Sequence, residues 1–262
     1  MSIEGFTRHN RRAWDEIADS RRARFPPAAF FAAGGTTLRP VELDAAGAVA
    51  GKRLLHLQCA GGHDTLSWAV AGAAATGVDI SPVAIDGARA LAAAAGIAAR
   101  FLAADVYALP APLQAGAFDV VYTGGGALCW LPDLARWAQV VARATRAGGR
   151  LVVFEMHPQN QVFRLVDRRW AVVADYFGRG APVVAAGGCG AGAGGATYRF
   201  HWPLGDLITS VAGAGFRVER LEEFPNDIPD EAADVFGEVG VAALRRVPGS
   251  FLLTARKEFA AP

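Results

Sequence analysis

Three carboxylates and two glycine clusters stand where short apolar runs end. Leu54, Leu55 and Leu57 make a run of strand length, closed by Gln58-Cys59-Ala60-Gly61-Gly62. A helix-like segment follows from Asp64 to Val70, then a second run, Ala75-Thr76-Gly77-Val78, that ends in Asp79. Strand, small-residue turn, helix, strand and acid make the first half of a nucleotide-binding βαβ unit. Glycines let backbone come close to a ligand, and a helix N-terminus offers unpaired N–H groups. An acid at the end of the second strand can accept hydrogen bonds from both hydroxyls of a ribose. Asp79 lies 17 positions past Gly62 (79 minus 62), near the ~20 expected of such an acid. Two more ionisable groups, Glu155 and His157, follow the run Leu151 to Phe154, and period two puts them on one side if the strand continues. A carboxylate or imidazole there could take a proton from an amine, phenol or indole, or orient it.

The turn is not that of a dinucleotide site. A pyrophosphate calls for Gly-x-Gly-x-x-Gly, and here Gln58 and Ala60 stand at the first two glycine positions. A ligand without a pyrophosphate relaxes that need. S-adenosylmethionine, adenosine with an amino-acid tail on a sulfonium, is such a ligand. His56-Leu57-Gln58-Cys59-x-x-Gly62-x-Asp64-Thr65-Leu66, followed by Gly77-Val78-Asp79-x-Ser81, resembles the first motif of a branch of the class I S-adenosylmethionine-dependent methyltransferases. Asn10-x-x-x-Trp14-Asp15-x-x-Ala18 is similar to an opening found in that branch, where the segment folds over the cofactor. The likeness continues through Trp130-Leu131-Pro132-Asp133-Leu134 and covers most of residues 10 to 155. His201-x-Pro203-Leu204-x-Asp206, followed by Ala214-Gly215-Phe216, adds a further match.

The resemblance implies a seven-stranded, mostly parallel Rossmann-like α/β sheet with helices on both faces and an antiparallel last strand. It implies methyl transfer from S-adenosylmethionine, which leaves S-adenosylhomocysteine. Asp79 is then expected on the ribose, Asp105 on the adenine amino group, and Gly62 and Asp64 near the methionine tail. Trp14, Gln58, Cys59, Thr65, Ile80, Val106, Thr123 and Gly124 complete the expected cofactor contacts. Phe30, Phe31, Trp130, Tyr176 and His201 are the expected acceptor contacts, and Glu155 and His157 the expected catalytic groups. The aromatic residues favour a small, partly apolar acceptor that reacts through nitrogen, oxygen or carbon. Two other classes share the layout. One is a protein of this fold that does not transfer methyl groups, such as a cyclase or a binder. The other is an NAD-dependent dehydrogenase, against which the missing glycine pattern argues.

The remaining elements must hold these residues in place. Trp14, Ile17 and Ala18 share a helical face, and Pro26-Pro27 ends that helix. Residues 1–40 are expected to form a lid whose apolar anchors are Trp14, Phe30 and Phe31, and residues 41–262 the methyltransferase domain. Ser81-Pro82 starts a helix that Gly96 stops. Arg100 to Ala103 and Phe118 to Tyr122 read as strands, the second opening into Gly124-Gly125-Gly126. A helix follows from about Asp133, terminated by Arg146-Ala147-Gly148-Gly149. Residues 159–200 break the rhythm and read as an insertion that caps the substrate, with a helix from Val162 to Val173 and a glycine-rich loop over 187–195. A helix from Leu204 and strands Phe216 to Leu221 and Phe251 to Lys257 close the chain.

Composition excludes several classes. A hydrophobic content of 52% over 262 residues is ample for a core. Twenty-six basic and 25 acidic residues leave a net charge of +1, so nothing steers the chain toward nucleic acid. Cys59, Cys129 and Cys189 are odd in number and widely spaced, which fits neither a disulfide framework nor a metal site. No apolar run approaches a membrane span. A cytoplasmic enzyme for a small molecule, monomeric or homodimeric and without a metal, is the expectation.

Overall fold

Arg53–Leu57 is the strand around which the sheet is laid: four of its five residues are buried, and only Arg53 is exposed. In the computed structural model, residues 1–22, 25–166, 169–180, 182–185, 197–227 and 241–258 are described. The helices are α1 (Ile3–Arg22), α2 (Ala28–Ala32), α3 (Pro40–Ala46), α4 (His63–Val70), α5 (Pro82–Ala95), α6 (Leu134–Ala144) and α7 (Leu204–Gly213). The main sheet holds β1 (Arg53–Leu57), β2 (Ala74–Asp79), β3 (Arg100–Ala103), β4 (Phe118–Gly124) and β5 (Thr145–Met156). Four short strands follow, β6 (Phe163–Val166), β7 (Arg169–Val172), β8 (Val183–Ala185) and β9 (Thr197–Arg199). Then come β10 (Phe216–Pro225) and β11 (Pro248–Lys257).

The seven strands are ordered β10-β11-β5-β4-β1-β2-β3. All run parallel except β11, which is antiparallel to both neighbours. This is the Rossmann-like sheet expected from the sequence. The chain leaves β1 toward β2 and β3, then returns to its other side at β4, so the ligand crevice of an open α/β sheet belongs above β1 and β4.

Alternation along β1 decides the layers. Leu55 and Leu57 bury against α6 and α7, with Trp137, Val141, Leu207 and Val211 in the same cluster. Leu54 buries on the other face with Trp68 of α4 and Ala45 and Ala46 of α3. Each such leucine, at 0% exposure, contributes about 1.5–3 kcal/mol. Caps then fix where the helices begin. The Ser81 hydroxyl accepts the Ala84 N–H with Pro82 at the first helical position, and Gly96 closes α5 in the left-handed region (φ 66°). The Asp133 carboxylate accepts the Arg136 N–H at the start of α6.

Two stretches differ from the sequence reading. The described residues of 162–173 are not helical: β6 and β7 pair antiparallel, Phe163 opposite Val172 and Val166 opposite Arg169. Valine and aromatic residues in this stretch suit a pleated surface better than a helix. Arg146 to Gly149 does not terminate α6, which ends at Ala144. It is a bulge in β5, since pairing with β4 jumps from Phe118–Thr145 to Val120–Arg150. The glycine-rich stretch 187–195 lies outside the described residues.

Gly62 is also placed differently. It caps α4 at φ 78°, and a Cβ there would lie 2.7 Å from both Ala88 Cβ and Phe101 Cε1. Its small size serves the packing of α4 on α5 and β3, not a ligand. Gly62→Val combines overpacking with left-handed strain, and we expect it to lower stability by about 3 kcal/mol or more. Urea melts of the two proteins measure this; an unchanged midpoint with lost ligand binding would instead return Gly62 to the ligand.

Candidate cofactor and acceptor site

A cavity of about 980 Å³ opens at the C-terminal ends of β1, β2 and β4. Its floor is the turn after β1. Gln58 and Ala60 stand where glycines would be expected, yet both hold positive φ, 59° and 46°. Such backbone costs non-glycine residues about 1–3 kcal/mol each, so the surroundings must impose it. They do so by hydrogen bonds. The Cys59 N–H donates to Val78 O at 2.9 Å, and the Gly62 N–H to Cys59 O at 2.9 Å. The Ala60 N–H donates to Asp79 Oδ2 at 2.8 Å. Gln58 Nε2 donates to Ala127 O at 2.9 Å, while its Oε1 is buried with no donor.

The three aspartates expected at the cofactor all line the cavity. Asp79, 9% exposed, also accepts the Ser81 N–H at Oδ1 (2.9 Å), so it ties the β1 turn to the start of α5. Burial pushes its carboxyl up, against the amides that hold it down. Asp105 caps a short 3-10 turn by accepting the Tyr107 N–H at 2.9 Å. Asp64 accepts the Thr37 hydroxyl at 2.5 Å, and burial raises it too. Cys59, Ile80, Val106 and Gly124 line the wall. Thr65 and Thr123 do not: Thr65 Oγ1 bonds His56 Nδ1 at 2.8 Å, and Thr123 Oγ1 donates to Leu57 O at 3.4 Å.

Glu155 and His157 do not line the cavity either, which corrects their expected role as catalytic groups. Glu155, 3% exposed, accepts the N–H groups of Gly126 (2.8 Å), Ala127 (2.5 Å), Leu128 (3.2 Å) and Met156 (3.2 Å). It clamps the loop after β4, whose Gly124 to Ala127 form the cavity wall. Burial pushes its carboxyl up to about 7 despite those donors. His157 Nδ1 accepts the Gln159 N–H at 3.2 Å, so Nε2 carries the proton toward Glu223 Oε1 at 2.8 Å. It caps the strand end, and burial lowers its imidazole. The strand stops at Met156, and Met156 is the residue of this segment that reaches the cavity.

The roof comes from α1. Trp14 packs edge-on to Trp130, with ring centroids 5.1 Å apart, and both line the cavity. Asn10 exchanges two hydrogen bonds with the backbone of Tyr198 in β9, at 2.8 and 2.9 Å. Ser81 Oγ donates to Asp15 Oδ1 at 2.6 Å. Four expected acceptor contacts lie elsewhere. Phe31 is 1% exposed in the core with Leu66 and Ile85, and Phe30 packs on it edge to face. The Tyr176 hydroxyl accepts the Leu204 N–H at 3.3 Å, and His201 Nδ1 lies 3.0 Å from Asp175 O. Both side chains brace the insertion against the start of α7. In their place the wall holds Phe25, Pro26 and Pro27, with Phe25 stacked on His63 at 4.4 Å. A proline pair beside an aromatic was the available signal, since it brings the chain back sharply over the turn. His56 also lines the wall; burial drives its imidazole to about 3 and that of His63 to about 4.

A family described as methyltransferase domain matches residues 55–153. The chain is 31% identical to ubiquinone biosynthesis O-methyltransferase of Bordetella pertussis over 131 residues, 49% of this chain and 54% of that one. It spans about half the length of the curated relatives it matches. An S-adenosylmethionine-dependent methyltransferase of Mesorhizobium loti has the same fold, with a TM-score of 0.61, 23% identity and coverage of 83% of this chain and 96% of that one. The [4+2]-cyclase SpnF superposes with a TM-score of 0.62 at 19% identity, over 97% of both chains.

The residues around the cavity fit S-adenosylmethionine, the cofactor expected from the sequence. Asp79 and Asp105 keep lone pairs beyond those spent on backbone amides. Gln58 Oε1 is a buried acceptor awaiting a donor, and an ammonium supplies donors. Three carboxylates around the cavity complement a cation. Among the described residues, no helix is long and apolar enough to cross a membrane, and no His, Cys, Asp or Glu group is placed to hold a metal.

Glu155→Gln tests the clamp. An amide cannot accept four N–H bonds on two oxygens, so the loop should loosen and S-adenosylmethionine bind at least ~10-fold more weakly. The pH dependence has a definite sign. A carboxyl raised from 4.5 to about 7 in the folded state favours folding fully below pH 4.5 and loses that contribution as pH rises through 7. Measured by urea unfolding, the stability of wild type minus that of Glu155→Gln should fall by about 3 kcal/mol across this window. A difference independent of pH would show that the amides, not burial, set the charge.

Proposed function

We propose that this chain transfers the methyl group of S-adenosylmethionine to a small, partly apolar or aromatic acceptor. The observation that carries this reading is one cavity with two chemistries. Acids and a tight turn line one part, and Trp14, Trp130, Phe25 and Met156 line another. At about 980 Å³ it stands at the top of the ~300–1,000 Å³ range for a drug-sized ligand, which leaves space for a small acceptor beside the cofactor. Asp79 would hold the ribose, Asp105 the adenine, and Gln58, Gly61 and Asp64 the methionine end.

The bound sulfonium supplies the methyl group and a good leaving group together. The chain's own residues then have to orient the acceptor and exclude water, and orientation can be worth about 7–11 kcal/mol. The two imidazoles in the wall are held neutral and are weak bases. A nucleophile reacting through carbon, or one already free of its proton, suits that environment best. The likeness to an O-methyltransferase supports a small-molecule acceptor. In this reading residues 1–40 form the cover and 41–262 the methyltransferase domain. The N-terminal cover and the 159–200 insertion act together, since Asn10 joins α1 to β9. The protein would work in the cytoplasm as a monomer or homodimer, apart from nucleic acid, metal and membrane.

The weak bases also favour a second reading, a cofactor-binding protein that does not transfer methyl groups. A structural neighbour is a cyclase, and a cyclisation needs shape more than a proton acceptor. Formation of S-adenosylhomocysteine with any acceptor in a panel of phenols, indoles and amines supports the transferase; turnover of an acceptor without it supports the cyclase.

Asp79→Asn keeps the size of the side chain, removes its charge and leaves it able to accept only one of the two amides it now holds. We expect S-adenosylmethionine to bind more weakly by about 1.5–3 kcal/mol in calorimetry, with the fold intact by circular dichroism. Unchanged affinity would remove Asp79 from the ribose. Trp14→Ala should leave cofactor affinity within about threefold and raise the acceptor KM by ~10-fold or more.

A further inference from the structure

The opposite end of the sheet carries a second concavity, of about 140 Å³, lined by Lys52, Arg146, Arg150 and Arg256 around one carboxylate, Asp119. It shares no lining residue with the large cavity. Its arginines are arranged against one another. Arg150 of β5 stands opposite Arg256 of β11, and Arg256 stands opposite Arg217 of β10. Like charges in direct cross-strand register repel. One carboxylate, Glu219, serves all three, at 3.4 Å from Arg150, 2.8 Å from Arg256 and 3.2 Å from Arg217. Asp119 is taken by Arg146 at 2.7 Å and by the Arg53 N–H at 2.9 Å. Five cations (Lys52, Arg146, Arg150, Arg217, Arg256) against two carboxylates leave three positive charges in excess. Arg150 Nη1 donates to Ala45 O at 2.8 Å, and its Nε–H is buried without an acceptor.

We propose that this concavity binds an oxyanion of the phosphate type, free or as the phosphoryl group of a small molecule. Planar guanidinium forks match tetrahedral oxyanions, and their charge-assisted hydrogen bonds are the stronger kind. A water takes up about 30 Å³, so a concavity of about 140 Å³ admits a group of several heavy atoms. An anion there would relieve the repulsion along the arginine row.

The test is calorimetric titration of the whole protein with inorganic phosphate, at ionic strength held constant with chloride. We expect saturable binding of one ion with Kd at or below about 1 mM, undisturbed by saturating S-adenosylhomocysteine. Lys52→Gln and Arg150→Gln should each weaken it by ~10-fold or more. If Arg150→Gln fails to fold, Lys52→Gln, at the edge of β1, carries the test alone. A phosphate monoester that binds more tightly than phosphate identifies the phosphoryl group of a small molecule as the ligand; the reverse order identifies the free ion. Absence of saturable binding, equal affinity in Lys52→Gln, or displacement by S-adenosylhomocysteine would overturn the site.

Discussion

The buried carboxylate of Asp79 holds the site together. One oxygen takes the N–H of Ala60 and the other the N–H of Ser81, so one side chain joins the turn after β1 to the first turn of α5. Ser81 in turn reaches Asp15 in α1, which extends the link to the roof of the cavity. Floor, wall and roof therefore meet at one acid. Its burial raises its carboxyl, and only the converging amide donors keep the charged form tolerable in that setting. A carboxylate serves here because it accepts on two oxygens at once, whereas an amide accepts on one.

This explains a turn that looks wrong in the sequence. Gln58 and Ala60 replace glycines yet follow a glycine path at φ 59° and 46°. Intrinsic preference opposes that path, and the strain is offset by bonds from Asp79, Val78 and Ala127. Partners as distant in sequence as Gln58 and Ala127 cannot be read from a local pattern. The sheet itself was legible because period and punctuation are local: apolar runs, Ser81-Pro82, Gly96 and Asp133 each act within a few residues.

The side chains misplaced by sequence reasoning share a physical cause. Glu155 and His157 end a strand that points at the crevice, and period two placed them on one side. The crevice, however, lies beyond the strand ends rather than on a face, so strand parity does not decide what reaches it. Met156 reaches it, while Glu155 turns into the protein to clamp the next loop. Gly62 shows the same confusion between small because a ligand is near and small because a helix is near. Phe30 and Phe31 are the aromatic pair expected to anchor a lid, but α2 turns Phe31 into the core and leaves Phe25 to face the cavity. In each case the residue type was informative and its direction was not, since direction depends on partners far along the chain.

Electrostatics give the site its remaining logic. Asp64 and Asp79 line the cavity, Glu42 lies near Asp64, and burial raises all three. Glu42 is held by the Tyr122 hydroxyl at 2.5 Å, and Asp64 by Thr37. Burying several acids around one space is costly unless a positive charge enters that space. A cofactor that carries an ammonium and a sulfonium brings such charge and meets acids that water no longer screens. The same arrangement bears on turnover. On the proposed function, methyl transfer would remove the sulfonium charge from the cofactor, and the acids would then hold S-adenosylhomocysteine less firmly than S-adenosylmethionine. The burial that makes these carboxylates uncomfortable in the free protein would thus favour binding of the charged form and release of the spent one.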